Sequence, residues 1–362
     1  MASFDFAPDI INGWDKLPAF PSDIETIEFD TISLKALQAR EGATIRKIID
    51  SCKTVGFFRI DLSDTKDGMQ MLAAANEMFK LSQETFSLPD EILLADDVFG
   101  NGESLLGYKG LGKSVVDKTG RRDNNQQYYI GCGDLDGFGR SQAKYNNILH
   151  AAFPEMRNFS SLGRFITNEV LDILSTDLNL EATDPQYLPK LHSHSNNSGT
   201  HVRLLKCPAS AGENANLQAH TDWGSLTVLF NAIGGLQLYI PDNLIPGQNA
   251  GWKWVKPVPR TCLVNLGDAM VKWSAGNYKS NIHRVSTPPG EQHPYARYSL
   301  AYFVRPDNDV QLRPLGKHQE LFPTYKEWAL RRAMAGNADT FKNGDWERGQ
   351  GTESAVSTAA RG

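Results

Sequence analysis

The stretch "LQAHTDWGSL", residues 217–226, sets His220 and Asp222 two positions apart in a run that otherwise alternates like a strand. In an extended strand residues i and i+2 leave the same face, so an imidazole and a carboxylate would point together into whatever that face covers. A third donor can come from another strand, and His283 in "YKSNIHRVSTPP" lies far enough downstream for several strands to return it alongside. Two histidines and one carboxylate on one side of a metal suit non-haem Fe(II) and leave coordination positions open for substrate and dioxygen. A His-x-Asp pair alone is most often structural, but "ARYSLAYF" sets Arg297 and Ser299 on one strand face by the same rule. A guanidinium beside a hydroxyl suits the two oxygens of a carboxylate. A buried arginine with no acid in its own strand needs an anionic partner, which a metal-bound organic acid would supply.

The elements that must position these groups are short strands. After residue 200 "HVRLLKC", "LQAHTDWGSLTVLF", "LQLYI", "KWVKPV", "TCLVNLG", "MVKWSA", "NIHRVSTP" and "RYSLAYFVRP" are strand candidates separated by Gly, Pro, Asn and Asp, the rhythm of an all-β sandwich or barrel. Before it the texture is mixed. "TIEFD" and "FFRIDL" read as strands, "ALQAREGATIRKIIDSCKTVG" as a helix ending at Gly56, and residues 66–94 as one or two amphipathic helices broken near Pro89. Residues 99–140 read as a glycine-rich, irregular, substrate-covering loop, and 153–180 as the longest helix. A helix over about 323–335 closes the chain before a polar tail.

Composition bounds the function. The chain has 362 residues, 40 % of them hydrophobic, and a formal charge of −5 from 37 basic and 42 acidic residues. No basic patch suits nucleic acid or an anionic membrane, which makes a small molecule the expected partner. No apolar run reaches the roughly 18 residues of a membrane helix, and "MASFDFAPDIINGWDK" has no leader pattern, so the expectation is a cytoplasmic protein. Cys52, Cys132, Cys207 and Cys262 show no CxxC spacing and read as reduced thiols.

Residues 200–305 resemble the catalytic core of the 2-oxoglutarate- and Fe(II)-dependent dioxygenases, in particular the subfamily of isopenicillin N synthase and the plant flavonoid and gibberellin oxygenases. The resemblance rests on "HTDWGSLTVLF", "GGLQLY", "VNLGDAMVKWSAGNYKSNIHRV" and "RYSLAYF", in that order. "IETIEFD" and "IIDSCKTVGFFRIDL" also look like the amino-terminal region of that family. The resemblance implies an α+β, mainly β fold: a double-stranded β-helix (jelly-roll) barrel with flanking N-terminal helices and a C-terminal helix. Residues 1–199 would form the mixed α/β region, 200–310 the jelly-roll core, 311–340 the C-terminal helix and 341–362 a disordered tail.

Carried over by position, the resemblance makes His220, Asp222 and His283 the iron ligands, and Arg297 with Ser299 the clamp on 2-oxoglutarate. Fe(II), 2-oxoglutarate and dioxygen are the implied cofactor and cosubstrates. The implied activity is oxidation of an unactivated C–H bond of a small organic molecule, by hydroxylation, desaturation or ring rearrangement, in secondary metabolism. Gly234, Gly235, Gly267 and Asp268 read as turn residues, and Lys279 and Arg284 as packing or surface groups.

Two departures from the family pattern stand out. Cys207 precedes Pro208 where the family usually has a tyrosine that helps hold 2-oxoglutarate, and "STPPGEQHPYA" lengthens the interval from His283 to Arg297. The missing phenol keeps open an Fe(II) oxidase that uses no 2-oxoglutarate, as in isopenicillin N synthase; a non-catalytic binding barrel is the alternative of another class. Substrate contacts are expected from Tyr108, Tyr129, Arg203, Phe230, Tyr302 and Phe303, with core packing the competing role for the rings and an ion pair for Arg203. His192, His194 and His201 read as members of a solvated loop, and His150, His293 and His318 as equally ordinary.

Overall fold

The computed structural model describes residues 4–335 apart from 97–105, 118, 139–142, 194–196, 210–214, 243, 246, 248 and 316–321. Its strands are β1 (Thr31–Ser33), β2 (Phe57–Asp61), β3 (Gly107–Lys109), β4 (Gln126–Gly131), β5 (His201–Cys207), β6 (Ala215–His220), β7 (Leu226–Asn231), β8 (Leu236–Ile240), β9 (Gly251–Trp254), β10 (Thr261–Leu266), β11 (His283–Ser286) and β12 (Arg297–Val304). From β5 onward they are shared between two facing sheets, β10-β7-β12-β5 in one and β6-β11-β8-β9 in the other, alternating except at the β8–β9 hairpin, which is the jelly roll. The first of these is widened at one edge by β2 and β1 and at the other by β4 and β3 into an eight-stranded sheet.

Alternation along the strands of the large sheet separates two surfaces. On β7 and β12 Val228, Phe230, Leu300 and Tyr302 enter the main apolar core. Thr227, Leu229, Ser299, Ala301 and Phe303 face the space between the sheets. The core is closed by the helices Lys66–Phe86 and Phe153–Asp177. The first is capped by Thr65, whose hydroxyl accepts from Gly68 N at 2.9 Å. It buries Met71, Leu72, Ala75, Met78, Phe79 and Phe86, a stripe at helical spacing, each of the Met, Leu and Phe side chains contributing about 1.5–3 kcal/mol.

The helical run at 36–56 is two helices, Leu34–Gln38 and Gly42–Lys53, because the chain turns through Arg40 at φ 54°. Gly56 follows at φ +74°, where a Cβ would lie 2.2 Å from the Lys279 carbonyl, so only glycine lets β2 start there. Pro89 separates Lys66–Phe86 from Asp90–Ala95 as expected.

Three sequence expectations need correction. "TIEFD" contributes only a bridge from Thr26 to Trp254, and the regular strand is β1 beyond it, paired in parallel with β2. "MVKWSA" belongs to the helix Asp268–Trp273: a short apolar run carries no period of its own, and here Met270 and Trp273 turn into the core. The stretch 99–140 is not uniformly irregular, since β3, β4 and the helix Cys132–Leu135 lie within it. Its residues 99–105, 118, 139 and 140 lie outside the described residues, as do His194, His318 and the tail 341–362. The closing helix is Tyr325–Ala335. Among the described residues no helix is long and apolar enough to cross a membrane.

Candidate metal centre and cosubstrate pocket

His220 ends β6 and His283 begins β11, directly opposite each other in an antiparallel pair, with ring centroids 4.3 Å apart. Asp222 follows in the turn to β7, and its Oδ1 lies 3.8 Å from Nε2 of each histidine. Three ligand atoms therefore fall within 4.8 Å of one another, the single such group of histidine, cysteine and acid side chains among the described residues. That spacing suits one ion.

The remaining atoms of the three side chains are committed. His220 Nδ1 donates to the Gln218 carbonyl at 2.8 Å and His283 Nδ1 to the Asn281 carbonyl at 3.1 Å, which leaves both Nε2 lone pairs pointing inward. Asp222 Oδ2 accepts from Thr227 Oγ1 and Asn265 Nδ2, each at 2.7 Å, which leaves Oδ1 for a metal. Burial, helped by the neighbouring His283, pushes the His220 imidazole below its ordinary range. Burial works to raise the Asp222 carboxyl, but the two imidazoles and the hydrogen bonds from Asn265 and Thr227 overcome it and hold the group below the usual carboxylate range. Neutral imidazole and ionised carboxylate are the forms a metal binds. The donor set fits Fe(II).

A cavity of about 60 Å³ adjoins the triad, walled by Leu205, Leu217, Leu229, Leu236 and Val285. Arg297, 1 % exposed, also lines it. Its Nε donates to the Gly234 carbonyl at 2.9 Å and its Nη1 to Ser299 Oγ. Gly235 makes room for it: at φ +124° a Cβ there would stand 2.9 Å from Arg297 Cδ. Gly234 and Gly235 thus support the guanidinium directly, which their reading as turn residues missed. Cys207 sits opposite Arg297 on β5 and shares a hydrogen bond with it; burial pushes the thiol up to about 11, so it stays protonated.

Of the expected substrate contacts, Arg203 and Phe303 line the cavity. Tyr129 is not in that lining but lies behind it against Arg203, whose guanidinium is 4.5 Å from the Tyr129 ring centroid and 3.9 Å from that of Phe303. Tyr108, Phe230 and Tyr302 are not brought there. Tyr108 packs on Tyr128 and donates to Gln126, Phe230 meets Phe159, and Tyr302 faces Gly163, all in the helix-covered core.

Two histidines read as solvated are buried. His192 is held between the Leu188 carbonyl and Ser225 Oγ, both at 2.7 Å, and His201 stacks on Phe303 at 4.9 Å. Asp268 is also more than a turn residue: fully buried, it accepts from Thr221 Oγ1 at 2.8 Å and pairs with Arg332 of the last helix, while its N–H donates to the Asp222 carbonyl. The contact with Arg332 joins distant parts of the chain and leaves no local pattern to read.

Residues 192–306 match the 2OG-Fe(II) oxygenase superfamily, and residues 25–151 the N-terminal region of non-haem dioxygenases in morphine synthesis. A 2-oxoglutarate-dependent dioxygenase of Aspergillus fumigatus is 30 % identical over 324 residues, spanning 84 % of this chain and 82 % of that protein. Among solved structures, a full-length Neurospora crassa protein in complex with alpha-KG and thymine superposes with a TM-score of 0.67 at 22 % identity, covering 87 % of this chain and 98 % of that one. JOX2 in complex with 2OG, Fe and JA superposes with a TM-score of 0.62 at 21 % identity, covering 87 % and 88 %. With this sequence match along most of its length, the chain belongs to the 2OG-Fe(II) oxygenase superfamily and is an enzyme that uses Fe(II), 2-oxoglutarate and dioxygen to oxidise a small molecule.

Proposed function

We propose that His220, Asp222 and His283 hold the iron, and that Arg297 with Ser299 holds the distal carboxylate of 2-oxoglutarate. The observation that carries this reading is that three inward-facing ligand atoms and a buried guanidinium share one cavity. The loaded iron supplies the oxidising power for a C–H bond. The chain does the rest. Backbone carbonyls fix the tautomers of both histidines, Thr227 and Asn265 aim the Asp222 carboxylate, and the leucine and valine walls keep bulk water from the reacting atoms.

The substrate is a small organic molecule of secondary metabolism, with Arg203 and Phe303, backed by Tyr129, forming its side of the cavity. Hydroxylation, desaturation and ring rearrangement all start from the same placement of a C–H bond. The formal charge of −5 supports a partner other than nucleic acid, and four buried free cysteines support a reducing, cytoplasmic setting. The oxidase that dispenses with 2-oxoglutarate is not favoured, because the Aspergillus fumigatus relative is named a 2-oxoglutarate-dependent dioxygenase. A non-catalytic barrel would be expected to have lost part of the donor set, which is intact here.

Anaerobic addition of Fe(II) and then 2-oxoglutarate should give the weak visible charge-transfer band of a chelated keto acid. Arg297→Ala and His220→Ala should each abolish it. Iron binding without the band would overturn the assignment of the cosubstrate site.

A further inference from the structure

Beside the cavity lie two buried cations that the cosubstrate does not use, Arg203 in its lining and Arg305 close to it. Arg203 lies on β5 opposite Ala301, two residues from the Ser299–Leu205 pair on the side away from Arg297. Arg305 follows the end of β12, two residues beyond Phe303, and is 8 % exposed. Among the described residues the Nε–H of each guanidinium is buried without a hydrogen-bond partner. Arg203 Nη2 lies 3.5 Å from His201 Nε2, a long contact to a neutral ring. Burial, with Arg305 nearby, disfavours the charge on Arg203; the groups that favour it are the Tyr129 phenol and then Asp222, the one carboxylate of the two, which faces the metal site. His201 cannot supply the missing negative charge, being neutral or positive, and burial with the two arginines pushes it well below its ordinary range, which keeps it neutral.

A buried cation without an anion beside it is costly to keep, and a bound anionic ligand would offset that cost. What surrounds this pair is flat and apolar: Tyr129 and Phe303 lie against Arg203, and Trp223 lies 5.7 Å from Arg305. Ring faces leave little room for the many donors a phosphate would demand, whereas the fork of a guanidinium matches a planar carboxylate.

We propose that the substrate of this enzyme is an organic acid whose carboxylate docks on Arg203 and Arg305, with its body against Tyr129, Phe303 and Trp223. This rests on the function proposed above, which places 2-oxoglutarate at the opposite, Arg297 end of the cavity. The acid then reaches the metal from the side away from Arg297, and its charge sets which C–H bond is presented.

The test uses the full chain loaded with Mn(II) and 2-oxoglutarate, which binds without turning over. Phenylacetate, 3-phenylpropionate, cinnamate and decanoate are titrated by calorimetry and saturation-transfer NMR, each beside its methyl ester. At least one acid should bind, its ester at least tenfold more weakly. Arg203→Met and Arg305→Met should each weaken the acid at least tenfold, with 2-oxoglutarate affinity kept. The Tm of Arg203→Met should not fall, because no ion pair is lost. Esters that match their acids, variants that bind the acid like the wild type, or no binding by any acid would overturn the proposal. Failure of 2-oxoglutarate to bind the wild type, read before any acid is added, would instead strike the cosubstrate assignment.

Discussion

His220 and His283 are direct cross-strand partners, in register across β6 and β11 although 63 positions apart in sequence. Antiparallel pairing brings their rings to 4.3 Å, and the turn after β6 folds Asp222 back over both. The centre is thus a property of the small sheet and of one turn, tuned by groups from the large sheet.

Thr227 and Asn265 are those groups. Thr227→Val keeps the shape of the side chain and removes the hydroxyl that aims Asp222, so Mn(II) affinity should fall on the order of tenfold while the Tm changes little. Equilibrium titration with Mn(II) measures it. Unchanged affinity would show that the carboxylate needs no such support.

Arg297→Lys replaces a planar fork with a point charge that cannot bond Gly234 and Ser299 in the same geometry. The Kd for 2-oxoglutarate should rise on the order of 10- to 100-fold. Gly235→Ala should raise it too without touching the charge, because the new Cβ would crowd Arg297 Cδ. Metal affinity in both should stay near wild type.

Arg332→Met leaves the Asp268 carboxylate buried without its cation, which should cost about 3–5 kcal/mol in urea unfolding. Because Asp268 also holds Thr221, between His220 and Asp222, metal affinity should drop with stability. Asp268→Asn combined with Arg332→Met removes both charges and should recover part of the loss.

Burial brings His192 down to about 4, against about 6.5 in an unfolded chain. The unfolded chain therefore takes up the proton first as pH falls. Stability tied to this residue is full above pH 6.5, declines between about 6.5 and 4, and levels off below. Between pH 7.5 and 5.0 it amounts to about 2 kcal/mol. His192→Gln should flatten the change in urea midpoint over that interval by this amount, while the other buried histidines continue to contribute.

The thiols give a simpler readout. Burial raises all four cysteines, Cys207 to about 11 and Cys132 and Cys262 to about 12, so none offers thiolate at pH 7.5. Ellman's reagent should label none in the folded protein and all four in guanidinium; fast native labelling of Cys207 would contradict its placement against Arg297.

His-x-Asp and Arg-x-Ser spacing was legible in the sequence because the two-residue strand repeat is local: it sets which residues share a face before any partner strand is known. The helices over 66–94 and 153–180 were legible for the same reason, since their apolar stripes repeat within each segment. Tyr108, Phe230 and Tyr302 show where that logic stops. Repeat alone says that Phe230 and Thr227 leave opposite faces of β7, but only the packed helices decide which face is core and which is cavity. The support of Arg297 by Gly234, the ion pair of Arg332 with Asp268 and the burial of His192 and His201 depend on approaches between segments far apart in the chain. Short-range spacing determined the chemical groups and their pairing; sheet register and helix packing decided their environment, because burial and electrostatics belong to the space around a residue.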